Sequence, residues 1–138
     1  KKAEPILIDG LLRLEYGGYD SVGIATFENN EINLVKTKGR VKTLADSEDV
    51  KKLNGTIGIG HTRWATHGKP SIHNSHPHLD NSNSIAVVHN GIIENYSDLK
   101  LLLMQNGYRF LSETDTEVIP NLIHFYYNKE NDFLKDEH

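Results

Sequence analysis

Apolar residues in this chain fall into short runs whose spacing alternates between a helical period of about 3.6 and a strand period of about 2. Over residues 3–16, Ile6, Leu7, Leu11, Leu12 and Leu14 recur at mixed three- and four-residue spacings, with Gly17 and Gly18 behind them. This pattern predicts an amphipathic helix that tolerates Pro5 in its first turn and stops at the glycines. Two β-branched or apolar runs, residues 22–27 and 32–36, flank the polar link Glu28-Asn29-Asn30-Glu31 and predict a β-hairpin. A polar helix is expected over residues 41–53. A strand follows over residues 57–61, where Gly58 and Gly60 point to a neighbour approaching the backbone closely.

Beyond a polar loop over residues 69–84, residues 85–89 read as a buried strand, and Asn90-Gly91 ahead of Ile92-Ile93-Glu94 reads as a tight hairpin turn. Residues 95–106 place Leu99, Leu102 and Leu103 on one helical side and close at Gly107. Thr114-Asp115-Thr116-Glu117 has the spacing of a capping box opening a helix through Val118, Leu122 and Phe125. The charged residues 128–138 carry no stop signal. Strand runs and helices segregate instead of strictly alternating, so the pattern predicts an α+β layering in one domain.

Composition narrows the functional classes. The 138 residues can enclose one core, and 37% hydrophobic with 25% charged residues is ordinary for a globular domain. A net charge of −4, with Lys and Glu interspersed, provides no basic stripe, so a nucleic-acid partner is not expected. No apolar run approaches the roughly 20 residues that span a bilayer, so neither a membrane partner nor a targeting segment is expected. The absence of cysteine excludes disulfides and thiolate metal ligands and favours a reducing compartment, hence a cytoplasmic location.

The chemistry concentrates in residues 61–68, His-Thr-Arg-Trp-Ala-Thr-His-Gly. Arg63 offers a planar fork of donors matched to a carboxylate, Trp64 can exclude water, and Thr66 and His67 can each hydrogen-bond a bound group. Two further polar clusters, His89-Asn90-Gly91 and Thr114-Asp115, stand at strand ends or helix starts, where loops converge. Arg63 and Asp115 together suit the two charged ends of an amino acid; Asp115 taken alone is better explained as a carboxylate in a helix's first turn. The Asn90 amide and the Gly91 N–H suit an oxyanion formed during acyl transfer, on a turn that backbone geometry alone would also favour. Most of the 8 histidines lie between His61 and His89, densest at His76-Pro77-His78. They form no i,i+4 pair on a convincing helix and have no following carboxylate at helix spacing, so no metal site is expected and they read as hydrogen-bonding groups at a rim. Ser21, Ser75 and Ser112 lack a nucleophile-elbow context.

Read together, residues 14–21, 61–68, 76–78, 89–95 and 112–117 closely resemble, in the same order, the glutaminase domain of the glucosamine-6-phosphate synthases, a branch of the class II glutamine amidotransferases. The resemblance covers nearly the whole chain and rests most specifically on Arg63-Trp-Ala-Thr-His-Gly68. It implies an N-terminal-nucleophile hydrolase fold, an αββα sandwich of two antiparallel sheets between helical layers. It assigns Arg63 to the α-carboxylate and Asp115 to the α-ammonium of L-glutamine. Trp64, Thr66, His67, His76 and Gly91 line the pocket, and Asn90 with Gly91 forms the oxyanion hole. It calls for no cofactor. For the intact enzyme it implies a C-terminal sugar-phosphate isomerase domain as partner and a homo-oligomer, with ammonia passing to fructose-6-phosphate to give glucosamine-6-phosphate and glutamate.

In that family the nucleophile is an N-terminal cysteine whose own α-amine is the general base. This sequence has no cysteine and starts at Lys1, so residues 1–138 are expected to be a partial glutaminase domain, truncated at both ends, without the isomerase domains and inactive alone. Gly17 stands where the family typically has arginine. The alternatives are a non-catalytic amino-acid-binding module of the same fold or another class II amidotransferase; the Arg63-Trp-Ala-Thr-His-Gly68 run argues against the latter and against a His-rich metal-binding domain.

Overall fold

The computed structural model describes residues 1–15, 20–64, 69 and 71–136, with side chains as far as residue 131. The expected first helix is α1, Ala3–Leu14, and the expected hairpin is β1, Ser21–Glu28, with β2, Glu31–Lys38. The hairpin turns on Asn29 and Asn30, at φ 51° and 62°. Positive φ at both central residues is the two-residue turn that matches the right-handed twist of paired strands, and Asn tolerates that conformation better than most residues. The third strand, β3, spans Ile57–Arg63, and the sheet order is β2-β1-β3, antiparallel throughout.

Gly58 and Gly60 do admit a close neighbour. A Cβ on Gly58 would lie 2.8 Å from Leu7 Cδ1, and one on Gly60 would lie 3.0 Å from Leu11 Cδ1. Helix α1 therefore lies directly on β3, and Leu11 joins Val22, Ile24, Val41, Leu44, Val50 and Leu53 in the buried core. The polar helix expected over residues 41–53 is two short helices, α2 (Val41–Ala45) and α3 (Glu48–Lys51). Ser47 divides them: its Oγ donates to Leu44 O at 2.7 Å and accepts from Val50 N at 3.3 Å, ending one helix and capping the next. Replacing Ser47 by Ala removes both contacts and is expected to cost about 1 kcal/mol, read as a lower denaturation midpoint; an unchanged midpoint would contradict this reading.

The second half differs more from expectation. The strand expected over residues 85–89 is the two-residue β5 (Ala86–Val87), half-buried, and it pairs with β4 (His78–Leu79) upstream. Asn90-Gly91 is not a hairpin turn: Gly91 alone has positive φ, 145°, and Ile92 behind it is 74% exposed and in no strand. Residues 92–94 are held instead by Asp115, whose Oδ2 accepts from Ile93 N at 2.6 Å. Helix α4 (Tyr96–Gln105) buries Leu103 and closes as expected: Gly107 has φ 89°, Tyr108 N donates to Leu103 O and Gly107 N to Met104 O. The capping box at residues 114–117 does not form. Thr114 makes no side-chain cap, and Glu117 accepts from Leu111 N, Ser112 N and Ser112 Oγ. A single 3₁₀ turn, Asp115–Glu117, leads into α5, Val118–Asp136.

Helices α1 to α3 cover one face of the three-stranded sheet; on its other face the loop carrying His76 and the β4-β5 pair follow, and β4 and β5 pack on α5. The result is an α+β arrangement of two antiparallel sheets between helices. Among the described residues no helix is long and apolar enough to cross a membrane.

Candidate functional site

The end of β3, the loop after β5 and the 3₁₀ turn converge on one cavity of about 340 Å³. Arg63, Trp64, His76, Asn90, Gly91 and Asp115 all line it. The three polar clusters singled out from the sequence therefore share one pocket. Thr66 and His67, and the glycine at position 17, lie outside the described residues. Cavities of about 520 Å³ occur beside Lys36 and between α4 and α5, so volume alone does not select the site. Burial of the charged pair does: Arg63 and Asp115 are both buried beside Asn90 here, whereas Arg109 at the Lys36 cavity is exposed.

Arg63 reaches the site because β3 pairs in register with β1, placing it opposite Ser21 at the strand end. It is only 4% exposed; Nη1 donates to Lys69 O at 3.2 Å and lies 3.8 Å from Asp20 Oδ1. A buried cation so fixed loses little further freedom when it meets an anion. Asp115 is buried, its Oδ2 held by the Ile93 N–H. Trp64, 58% exposed, stands at the rim. Gly91 needs to be glycine: its φ is 145°, and a Cβ there would lie 3.1 Å from His89 Nε2.

Beside the pocket runs a row of buried imidazoles. His61 stacks on His76 at 4.1 Å between ring centroids, and His78 meets His76 edge-on at 4.7 Å. Burial lowers the pKa of all three, to about 2 for His76 and about 3 for His78, and their mutual repulsion if charged, together with Arg63 nearby, pushes the same way. They are neutral at pH 7. No group of three or more potential ligands among the described residues is arranged for a metal ion. The sequence pattern places His61, His89 and Thr114 in the polar clusters without a role in binding, and Thr116 only in the expected capping box; all four line the same cavity. Only the register of β3 against the loop at Asn90 could have revealed His61.

The row predicts acid sensitivity. These folded-state pKa values lie below the ordinary histidine value of about 6.5, so the unfolded chain binds more protons once the pH falls under it. The stability is present above about pH 6.5 and is lost as pH falls towards the folded values. His76 and His78 together are expected to remove roughly 2 kcal/mol between about pH 6.5 and 5.5, measured by urea denaturation; equal stability at both pH values would contradict this.

A family model described as a glutamine amidotransferase domain matches residues 22–136. A glutamine--fructose-6-phosphate aminotransferase [isomerizing] from Caldanaerobacter subterraneus subsp. tengcongensis is 62% identical over 128 residues, 93% of this chain and 21% of that protein. Its counterpart from Clostridium perfringens is 61% identical over 127 residues, 92% of this chain and 21% of that protein. The chain thus spans about a fifth of the length of these curated relatives. Among solved structures, the glutamine phosphoribosylpyrophosphate amidotransferase from B. subtilis superposes with a TM-score of 0.75 at 30% identity, covering 90% of this chain and 27% of that one.

Proposed function

We propose, since this chain belongs to the glutamine amidotransferase domain family, that its pocket binds L-glutamine between Arg63 and Asp115 and polarises the side-chain amide at Asn90 and Gly91. The observation that carries this reading is the shared cavity: a buried guanidinium, a buried carboxylate and a pair of amide donors line one small space. Arg63 takes the α-carboxylate through its fork, Asp115 the α-ammonium, and the side chain then extends past His76 and Trp64; the family resemblance assigns Thr66 and His67 to the same ligand. In hydrolysis a thiolate, its proton taken by the α-amine of the same residue, attacks the amide carbon; Asn90 Nδ2–H and Gly91 N–H stabilise the oxyanion, that proton departs with ammonia, and water then cleaves the thioester to glutamate.

Residues 1–138 contain no cysteine. In the whole protein we place the thiolate on a residue outside these 138, in a glutaminase domain that feeds ammonia to a sugar-phosphate isomerase domain. The product there is glucosamine-6-phosphate from fructose-6-phosphate, in a cytoplasmic homo-oligomer. This polypeptide alone is expected to bind glutamine without releasing glutamate, and glutamate release that Arg63→Ala abolished would contradict that. The missing cysteine equally fits a binding module without catalysis, which a longer native chain bearing the thiol and releasing glutamate would exclude.

Calorimetry tests the clamp. L-glutamine is expected to bind, and 4-carbamoylbutanoate, which lacks the α-ammonium, at least about ten-fold more weakly. Asp115→Asn should weaken L-glutamine and leave the weaker ligand nearly unchanged; equal losses for both would remove Asp115 from the ammonium site.

A further inference from the structure

His61 is 8% exposed and sits where β3 passes the loop after β5. Its Nε2 lies 2.5 Å from Asn90 Oδ1, while its Nδ1 is buried with no hydrogen-bond partner among the described residues. Asn90 itself is exposed to the cavity and makes no other hydrogen bond with the described residues. A carboxamide is a two-faced group: with Oδ1 tied back it presents Nδ2–H to a ligand, and turned over it presents an oxygen. Only the first can meet a substrate carbonyl.

We propose that His61 is a positioning residue for this pocket: its Nε2–H grips the Asn90 carboxamide by Oδ1 and so directs Nδ2 at the ligand's side-chain carbonyl oxygen. The inference rests on the glutamine reading and adds to it the group that sets the donor's orientation. Burial keeps the ring neutral at pH 7 and outweighs the Asn90 hydrogen bond, which favours the charged form, so one nitrogen carries the proton. A proton on Nδ1 would be a buried donor without an acceptor, whereas a bare Nδ1 lone pair there costs less.

The neighbouring rings hold His61 in place. Ser112 Oγ donates to Glu117 Oε1 at 2.6 Å, so the hydrogen in its 2.9 Å contact with Thr114 Oγ1 belongs to the threonine. His78 Nε2 must then donate to Thr114 Oγ1, 2.7 Å away. Counting hydrogens in this way fixes the His78 ring, His78 meets His76 edge-on, and His76 stacks flat on His61. A ring backed by another ring cannot swing away from Asn90 without leaving a void.

Long-range proton–nitrogen correlation spectra of the isotope-labelled chain read the tautomer directly. The expected result is a single His61 species protonated on Nε2, with Asn90 Nδ2 resonances that shift when L-glutamine is added. A proton on Nδ1, or a mixture of tautomers, would overturn the proposal. In His61→Leu the glutamine-induced Asn90 side-chain shift should disappear while the Ile93 amide beside Asp115 still responds. His61→Gln, which restores a donor, should recover it. An Asn90 shift that survives His61→Leu would also overturn the proposal. The tautomer is read without ligand, so a chain that failed to bind glutamine at all would contradict the glutamine reading, and the tautomer would still decide this one.

Discussion

Arg63→Ala is expected to weaken L-glutamine binding by roughly 2–5 kcal/mol, from about thirty-fold to several thousand-fold, which in calorimetry reads as loss of detectable heat. The guanidinium is 4% exposed, so the α-carboxylate it meets is largely stripped of water, and the described residues lining the cavity include no other Lys or Arg to replace the lost charge. Part of the effect would be structural, because Nη1 also donates to Lys69 O and stands 3.8 Å from Asp20 Oδ1, an atom with no hydrogen bond among the described residues. Arg63→Lys separates the two contributions. Lysine keeps the charge near Asp20 but loses the planar fork, so the chain should keep its wild-type denaturation midpoint while affinity still falls at least about ten-fold. If Arg63→Lys bound glutamine as tightly as the native chain, the bidentate role would be wrong.

Gly23→Ala is expected to destabilise the fold by at least about 3 kcal/mol or to prevent folding. A Cβ at Gly23 would lie 1.9 Å from the His76 carbonyl oxygen and 2.9 Å from its carbonyl carbon. Both atoms are backbone, so no side chain can rotate aside. Gly23 is also pinned from its own side, since β1 is the central strand and pairs it with Lys36 on β2 and His61 on β3. The added methyl must push the His76 loop off the sheet, breaking the His61–His76 stack next to the pocket. A chain that still folded would therefore show disturbed His61 and Asn90 resonances. Denaturation within about 1 kcal/mol of the native chain would show that the loop does not rest on the strand as described.

These two positions also illustrate what the sequence discloses. Arg63 stood out because a cation, an aromatic and imidazoles crowd one short run, whereas Asp115 by charge alone fitted a helix start as well, and only the family resemblance decided its pairing with Arg63. Helix α1, the Asn29-Asn30 hairpin and the closure of α4 were legible because each depends on local periodicity and on residues suited to positive φ. Gly23 gave no signal, since its need arises from a loop more than fifty residues away in the chain. Asn90-Gly91 misled for a related reason. The dipeptide favours a tight turn, yet Asp115 captures the Ile93 N–H and His61 Nε2 holds the Asn90 side-chain oxygen Oδ1, and these long-range bonds override the local preference. Glu117 likewise serves the loop at Leu111 and Ser112 instead of its own helix start.

The central claim is that Arg63, Asn90-Gly91 and Asp115 form one site for L-glutamine, and an isotope-labelled titration of the chain with L-glutamine tests it most directly. The expected result is saturable shifts of the Arg63 side chain, the Asn90 side-chain amide, and the Gly91 and Ile93 backbone amides, with no response around Lys36 in the neighbouring cavity. Saturable shifts confined to the Lys36 cavity, or no shift at millimolar glutamine, would contradict it.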